Sequence, residues 1–195
     1  MLTLLGVACS RLMVAGHARK RGSEWKLSFF GVLLQKHLRF QREKKYREFQ
    51  RHVSIGDLLT DRWETAASYG FGEGTSCYDN VLIIGDVQVG RHTWIGPNVI
   101  LDGSGGLFIG DYVSVSAGVQ IYSHHTVAWS TSLGAEPIVR CSTTIGDGVY
   151  IGPGAVIQMG VTIGDQAVIG ALSFVKDDVP SGAKIAGAPA RPISI

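Results

Sequence analysis

The stretch IGDGVYIGPGAVIQMGVTIGDQAVIGALSFV (residues 145–175) places an aliphatic side chain at every sixth position: Ile145, Ile151, Ile157, Ile163, Ile169 and Val175. A period of six fits neither the 3.6 of an α-helix nor the 2.0 of a simple strand. It fits short strands joined by tight turns, each repeat turning one aliphatic residue inward, as in a parallel β-helix. Glycine follows the aliphatic residue at Ile145, Ile151, Ile163 and Ile169, where a turn needs backbone freedom.

Working outward, the same column continues upstream. Ile109, Val115 and Ile121 share one register, and Ile83, Val89, Ile95 and Leu101 share another, offset by two residues at DGSGG (residues 102–106). The chain holds 26 glycines in 195 residues, roughly twice the average usage of about 7%, and their spacing marks architecture and not a linker. A coil buries its apolar stack only against the next coil, so the ends need caps. Residues 23–52 supply a candidate, with Trp25, Phe29, Leu33 and Phe40 at near-helical spacing among charges. Pro180, Pro189 and Pro192 exclude regular helix at the other end. The expected organisation is a basic helical arm or cap over 1–52, a connecting segment over 53–79, a β-helix over 80–180 and a tail over 181–195.

Between residues 123 and 144 the repeat stops, and the adjacent His124 and His125 stand at the break. A segment that leaves a regular coil can wall a cleft, which the coil itself does not offer.

The motifs now in hand carry a resemblance. The repeat, the tail VPSGAKIAGAPARPI (residues 179–193) and the stretch VILDGSGGLFIGDYVSVSAGVQIYSHHTVAW (residues 99–129) resemble the hexapeptide-repeat acyltransferases. Galactoside, maltose and xenobiotic acetyltransferases belong to that family, and the closest likeness in motif is to members that O-acetylate polysaccharides. It covers residues 80–193. The resemblance implies a left-handed parallel β-helix, a homotrimer, and acetyl-CoA as co-substrate in a groove between subunits. It implies His124 as the general base. A sugar hydroxyl is a poor nucleophile toward a thioester and needs a base that titrates near neutrality, which imidazole is. Such a base needs an orienting partner, for which Glu136 in the loop and a backbone carbonyl are both available; the oxyanion calls for a donor such as a backbone N–H of the adjacent coil. His125 stands where related chains often have Asp, and either binds substrate or faces solvent. Asn98 and Asp102 match a region that binds the acceptor, although both residue types also favour turns. Tyr150, Gly152, Gly170 and Ala171 are expected along the pantetheine arm, with Arg191 near the nucleotide phosphates. Lys176 joins them from a shifted position, because the family's Thr-Lys-Asp reads Lys176-Asp177-Asp178 here.

The acceptor expected first is a sugar hydroxyl of a polysaccharide or lipid-linked glycan; the alternatives are an amino sugar, a non-catalytic scaffold, or a γ-carbonic-anhydrase-like metal enzyme using His92, His124 and His125. The last lacks that family's paired histidine spacing, so no metal is expected. Charge is divided unevenly. Residues 1–52 carry twelve Lys/Arg against three Asp/Glu, and residues 53–195 carry six against thirteen. A basic arm with interspersed apolar residues suits an anionic membrane surface, and the rival reading is a soluble cap. No nucleic-acid motif accompanies the charge. Cys9, Cys77 and Cys141 form no CxxC pair, which fits a reducing compartment. No apolar run approaches the ~20 residues of a membrane span, and residues 1–22 lack the basic-then-apolar order of a signal peptide. The expected location is the cytoplasm, at the inner face of the membrane if the arm binds there.

Overall fold

The computed structural model describes residues 29–194. Residues 1–28, with Trp25, Cys9 and the start of the expected 23–52 helix, lie outside the described residues.

Three helices come first: α1 (Phe29–Phe49), α2 (Gly56–Leu59) and α3 (Arg62–Ser68). A parallel β-solenoid of about six turns follows. Its first coil is β1 (Ser76–Cys77) and β2 (Leu82–Val89); the second is β3 (Trp94–Ile95) and β4 (Ile100–Ile109). The third opens with β5 (Ser114–Val115) and β6 (Gln120–Ile121), leaves the stack for a loop holding β7 (His124–His125), α4 (Val127–Thr131) and β8 (Val139–Arg140), and closes with β9 (Thr143–Ile145). Then come β10 (Tyr150–Ile151), β11 (Val156–Ile157) and β12 (Thr162–Ile163), followed by β13 (Val168–Ile169), β14 (Phe174–Val175), β15 (Lys184–Ala186) and β16 (Arg191–Pro192).

The strands stack on three sides. The first side runs β1, β3, β5, β10, β13, β15 in parallel order. The second runs through the leading halves of β2 and β4, then β6, β11 and β14. The third runs through the trailing halves of β2 and β4, then β9 and β12. Every aliphatic residue of the six-residue column except the half-buried Ile83 is buried, and Ile121, Ile151, Ile157, Ile163 and Ile169 are fully so. Full burial of one such side chain is worth roughly 1.5–3 kcal/mol, so the column is the core. A second column two residues earlier, including Val99, Val113, Val149, Val161 and Ala167, fills the corners.

Stacking explains the Gly-Asp pairs. The Asp111 N–H donates to Asp147 Oδ1 at 2.7 Å and the Asp147 N–H to Asp165 Oδ1 at 2.9 Å. Each carboxylate thus satisfies the backbone of the coil beneath it. A Cβ on Gly110 would sit 2.2 Å from Asp147 Oδ1, so glycine is required by this close approach.

The N-terminal end is closed by a different segment from the expected one. α1 has no buried residue; it joins the rest at its C-terminal part, where Lys45 pairs with Asp61 at 3.1 Å. Leu58 of α2, Ala66 of α3 and Phe71 are the buried apolar residues at this end, and Ala66 and Phe71 belong to the core cluster. α3 is fixed by a reciprocal cap in which Asp61 accepts from the Trp63 N–H and Glu64 accepts from the Asp61 N–H. At the other end β16 pairs antiparallel with β15. Among the described residues no helix is long and apolar enough to cross a membrane.

Candidate active site

Two irregularities fall at the same corner of the solenoid, between the second and third sides. One is the DGSGG insertion within β4, where the pairing with β2 slips between Gly85 and Val87. The other, one coil later, is the loop between β6 and β9. The insertion forms a shelf under the loop's base. The Gly105 N–H donates to Ser123 Oγ at 2.8 Å and the Cys141 N–H to the Ser123 carbonyl at 2.9 Å. A Cβ on Gly105 would lie 2.4 Å from that carbonyl oxygen. The loop itself is a short antiparallel pair, His124 opposite Arg140 and His125 opposite Val139, carrying α4 at its tip.

This packing sets Asp102 beneath His124. The Asp102 side chain is 0% exposed and that of His124 is 27% exposed. Asp102 Oδ2 pairs with His124 Nδ1 and accepts the Ser123 N–H at 3.0 Å, while Oδ1 accepts the Ser104 N–H at 2.9 Å. Burial pushes the Asp102 carboxyl upward, but hydrogen bonds from the Ser104 hydroxyl and N–H, the Ser123 N–H and His124 outweigh it, and the group is lowered to about 2. It is therefore a carboxylate at neutral pH. An acceptor-only carboxylate requires a donor at His124 Nδ1, which in the neutral imidazole places the lone pair on Nε2. Among the described residues Nε2 has no protein partner.

Asp102 is thus the partner of His124 and lies too deep to line a cleft, unlike its expected place beside the acceptor. Glu136 is exposed in the loop, with its N–H bonded to Ser132 Oγ at 2.8 Å. His125 is half-buried, and its Nδ1 lies 3.4 Å from the Val127 N–H. Asn98 sits at another corner, between β3 and β4, in a left-handed turn conformation (φ 57°); it accepts from Asn80 Nδ2 at 2.8 Å. The structure does not bring it to His124. His92 stacks on Tyr112 at the third corner, so the three repeat-region histidines do not converge. Among the described residues no group of three or more His, Cys, Asp or Glu is placed to hold a metal.

The residues expected along the pantetheine arm collect on one flank. Tyr150 points outward from the first side, and Gly152, Gly170 and Ala171 stack at the next corner. A Cβ on Gly152 would meet the Ala171 backbone N at 2.6 Å, and one on Gly170 would meet Ala186 Cβ at 2.7 Å. These close approaches show that glycine is required there by the stacking of successive coils; Gly152 is buried, Gly170 half-buried and Ala171 exposed. Lys176 and Arg191 lie exposed near the C-terminal end, both drawn to Asp177 at 2.8 and 3.8 Å.

Comparison with known proteins agrees with this architecture. Residues 142–177 match the family model described as bacterial transferase hexapeptide (six repeats). No curated protein matches the sequence significantly. Among solved structures, a hexapeptide-repeat-containing acetyltransferase from Vibrio cholerae, complexed with acetyl coenzyme A, is 26% identical with a TM-score of 0.62, covering 82% of this chain and 87% of that one. A maltose O-acetyltransferase from Clostridium difficile is 25% identical with a TM-score of 0.50, covering 83% and 87%. An N-acyltransferase from Bacillus cereus, in complex with dTDP and coenzyme A, is 20% identical with a TM-score of 0.57, covering 64% and 71%, a likeness of fold alone. Residues 142–177 match the bacterial transferase hexapeptide repeats, and residues 76–192 form the left-handed parallel β-helix of such repeats, similar in build to the solved hexapeptide-repeat acetyltransferases.

Proposed function

We propose that the protein transfers an acetyl group from acetyl-CoA to a hydroxyl of a sugar, on a polysaccharide or lipid-linked glycan, with His124 as general base. The observation that supports this most is the His124–Asp102 pair at the base of the loop. A hydroxyl must lose its proton as it attacks, whereas an amine that has already shed its proton is nucleophilic without a base. An imidazole with a buried carboxylate on Nδ1 therefore favours the O-linked acceptor over an amino sugar.

The chemistry assigned to this chain's residues is brief. His124 takes the hydroxyl proton at Nε2, holds it there, and surrenders it when the leaving group departs. Asp102 keeps the ring oriented and balances its transient positive charge through Nδ1. A positioned base of this kind is worth roughly 10²–10⁴-fold. Acetyl-CoA, when bound, supplies the acetyl thioester. Its pantetheine arm suits the corner of Gly152, Gly170 and Ala171 beside Tyr150, and Arg191 and Lys176 are the cations for its phosphates, in competition with Asp177.

The assembly that fits this reading is a homotrimer. The outward row of the second side runs Leu82, Ile100, Gln120, Val156 and Phe174, apolar but for Gln120, with Ile84 exposed toward the His124 corner, and the loop presents Val127, Trp129 and Leu133 to its surroundings. A neighbouring copy would cover both and complete the cleft. The exposed apolar residues of α1 (Phe29, Phe30, Val32, Leu33 and Phe40) lie among Lys36, Arg39, Arg42, Lys44 and Arg47. That mixture fits the face of an anionic membrane, where a lipid-linked acceptor would be met. It does not fit self-pairing of α1, since like charges would meet. The test is thiol release from acetyl-CoA across a panel of glycans and amino sugars, comparing the native chain with His124→Ala. Turnover of amino sugars alone would overturn the reading.

A further inference from the structure

A second site lies away from His124, where α3 meets the outer surface of the first side. A groove of about 320 Å³ is lined there by Arg51, Arg62, Trp63, Tyr78, Trp94 and Ser114, among others, a volume at the low end of the ~300–1,000 Å³ of ligand pockets. Trp94 is 65% exposed. Its outward direction is set by strand alternation, since Ile95 next to it points into the core. A large aromatic ring standing outward in this way offers a flat apolar face on which a ligand ring can stack.

Charge gives the groove its character. The Arg62 guanidinium lies over the Trp63 ring at 5.0 Å and over the Tyr78 ring at 4.8 Å. Two aromatic faces hold it flat while its N–H edge remains uncommitted, the form in which arginine reads carboxylates and phosphates. Neither Arg51 nor Arg62 has a carboxylate within ion-pair distance among the described residues, whereas Lys45 nearby is paired with Asp61. No acidic residue lines the groove. Asp57, in the adjoining hollow, is buried and accepts from Ser54 Oγ at 2.9 Å and from the Asp79 N–H at 3.2 Å. The Ser114 hydroxyl makes no hydrogen bond among the described residues and faces the same space.

We infer that this groove binds an anionic monosaccharide unit, its ring stacked on Trp94 and its carboxylate or phosphate held by Arg62 and Arg51. The inference stands on this groove alone and holds whether or not the chain transfers acetyl groups. The combination needs both parts. Arginines alone would take any anion, and tryptophan alone would take neutral sugars as readily.

Isothermal titration of the full chain tests this with D-glucuronate, D-glucose 6-phosphate, D-glucose, inorganic phosphate and uridine monophosphate. Both anionic sugars should bind at least tenfold tighter than glucose or phosphate, and more weakly as salt rises. Trp94→Ala and Arg62→Gln should each weaken binding at least tenfold, Arg62→Lys should fall between, and Trp94→Phe should retain it. Far-UV circular dichroism checks that each variant is folded; because Trp94 is outward-facing, the core beneath it is unchanged. Equal affinity for glucose, or for phosphate with Trp94→Ala silent, would overturn the inference. Tighter binding of uridine monophosphate than of either sugar would reassign the groove to nucleotides and overturn it as well.

Discussion

Asp102→Asn is the most searching single substitution. The carboxylate accepts at both oxygens, from the Ser104 N–H at Oδ1 and from the Ser123 N–H and His124 Nδ1 at Oδ2. An amide has one acceptor and one donor end. If its NH₂ faces Ser104, two donors meet and the Ser104 N–H loses its partner. If its NH₂ faces Ser123 and His124, the ring must accept at Nδ1, and the proton moves to Nε2, where the base is needed. In either orientation a buried donor is orphaned, at about 1–3 kcal/mol of stability. The balancing charge is also lost. On the proposed mechanism kcat falls by roughly 10²–10⁴-fold, about 3–5 kcal/mol of barrier, while acetyl-CoA affinity stays within about twofold. The assay is thiol release under saturating acetyl-CoA, with calorimetric titration of the co-substrate and a thermal melt on the same sample. If Asp102→Asn keeps kcat within threefold of native while His124→Ala is inactive, the carboxylate does not govern the ring and the argument fails.

Four further outcomes follow from the same structure. His124→Ala should lower turnover by about 10²-fold or more with acetyl-CoA still bound, and His125→Ala should cost less; the reverse order in kcat would refute the assignment. Ile157, fully buried and stacked between Ile121 and Val175, should cost about 2–5 kcal/mol as Ile157→Ala, read by denaturant unfolding; a loss under 1 kcal/mol would contradict the stacked core. The Asp102 carboxyl, held near 2 against about 3.9 when unfolded, stabilises the fold above pH 4, and this contribution of roughly 2–3 kcal/mol disappears as pH falls from 4 to 2; Asp102→Asn should flatten that acid limb of the stability curve. The chain should bind anionic vesicles at low salt and release them as ionic strength rises, and removal of residues 1–52 should abolish this; indifference of the intact chain to such vesicles at low salt would refute the membrane contact.

What could be read from the sequence depended on how far apart the interacting residues lie in the chain. The column from Ile145 to Val175 is local, and each member repeats its neighbour's environment, so periodicity alone exposed the solenoid. The interruption at His124 stood out for the same reason. The link from His124 to Asp102 did not. It spans one coil, and its register depends on the two extra residues of DGSGG and on the loop leaving the stack at that same corner. Without that alignment Asp102 looked like any turn-forming acid, and Glu136 was as good a partner. α1 misled in another way. Apolar residues at helical spacing read alike whether they meet a protein core or nothing, so Phe29, Leu33 and Phe40 suggested a cap, while Leu58, Ala66 and Phe71, in short segments without a period, close that end of the solenoid.

The two ends have a bearing on how copies of this protein can meet. A stack of parallel strands is an open-ended template, and an exposed last row would recruit the next molecule into a fibre. Here β16 runs antiparallel along β15, the Phe174 N–H is spent on the Gly187 carbonyl at 2.9 Å, and the Ala190 N–H closes on the Phe174 carbonyl at 2.8 Å. The first row is shielded where α3 packs on β1. Axial growth is therefore hindered at the last row by the chain's own backbone and at β1 by α3, which leaves the flanks as the surfaces through which copies can meet.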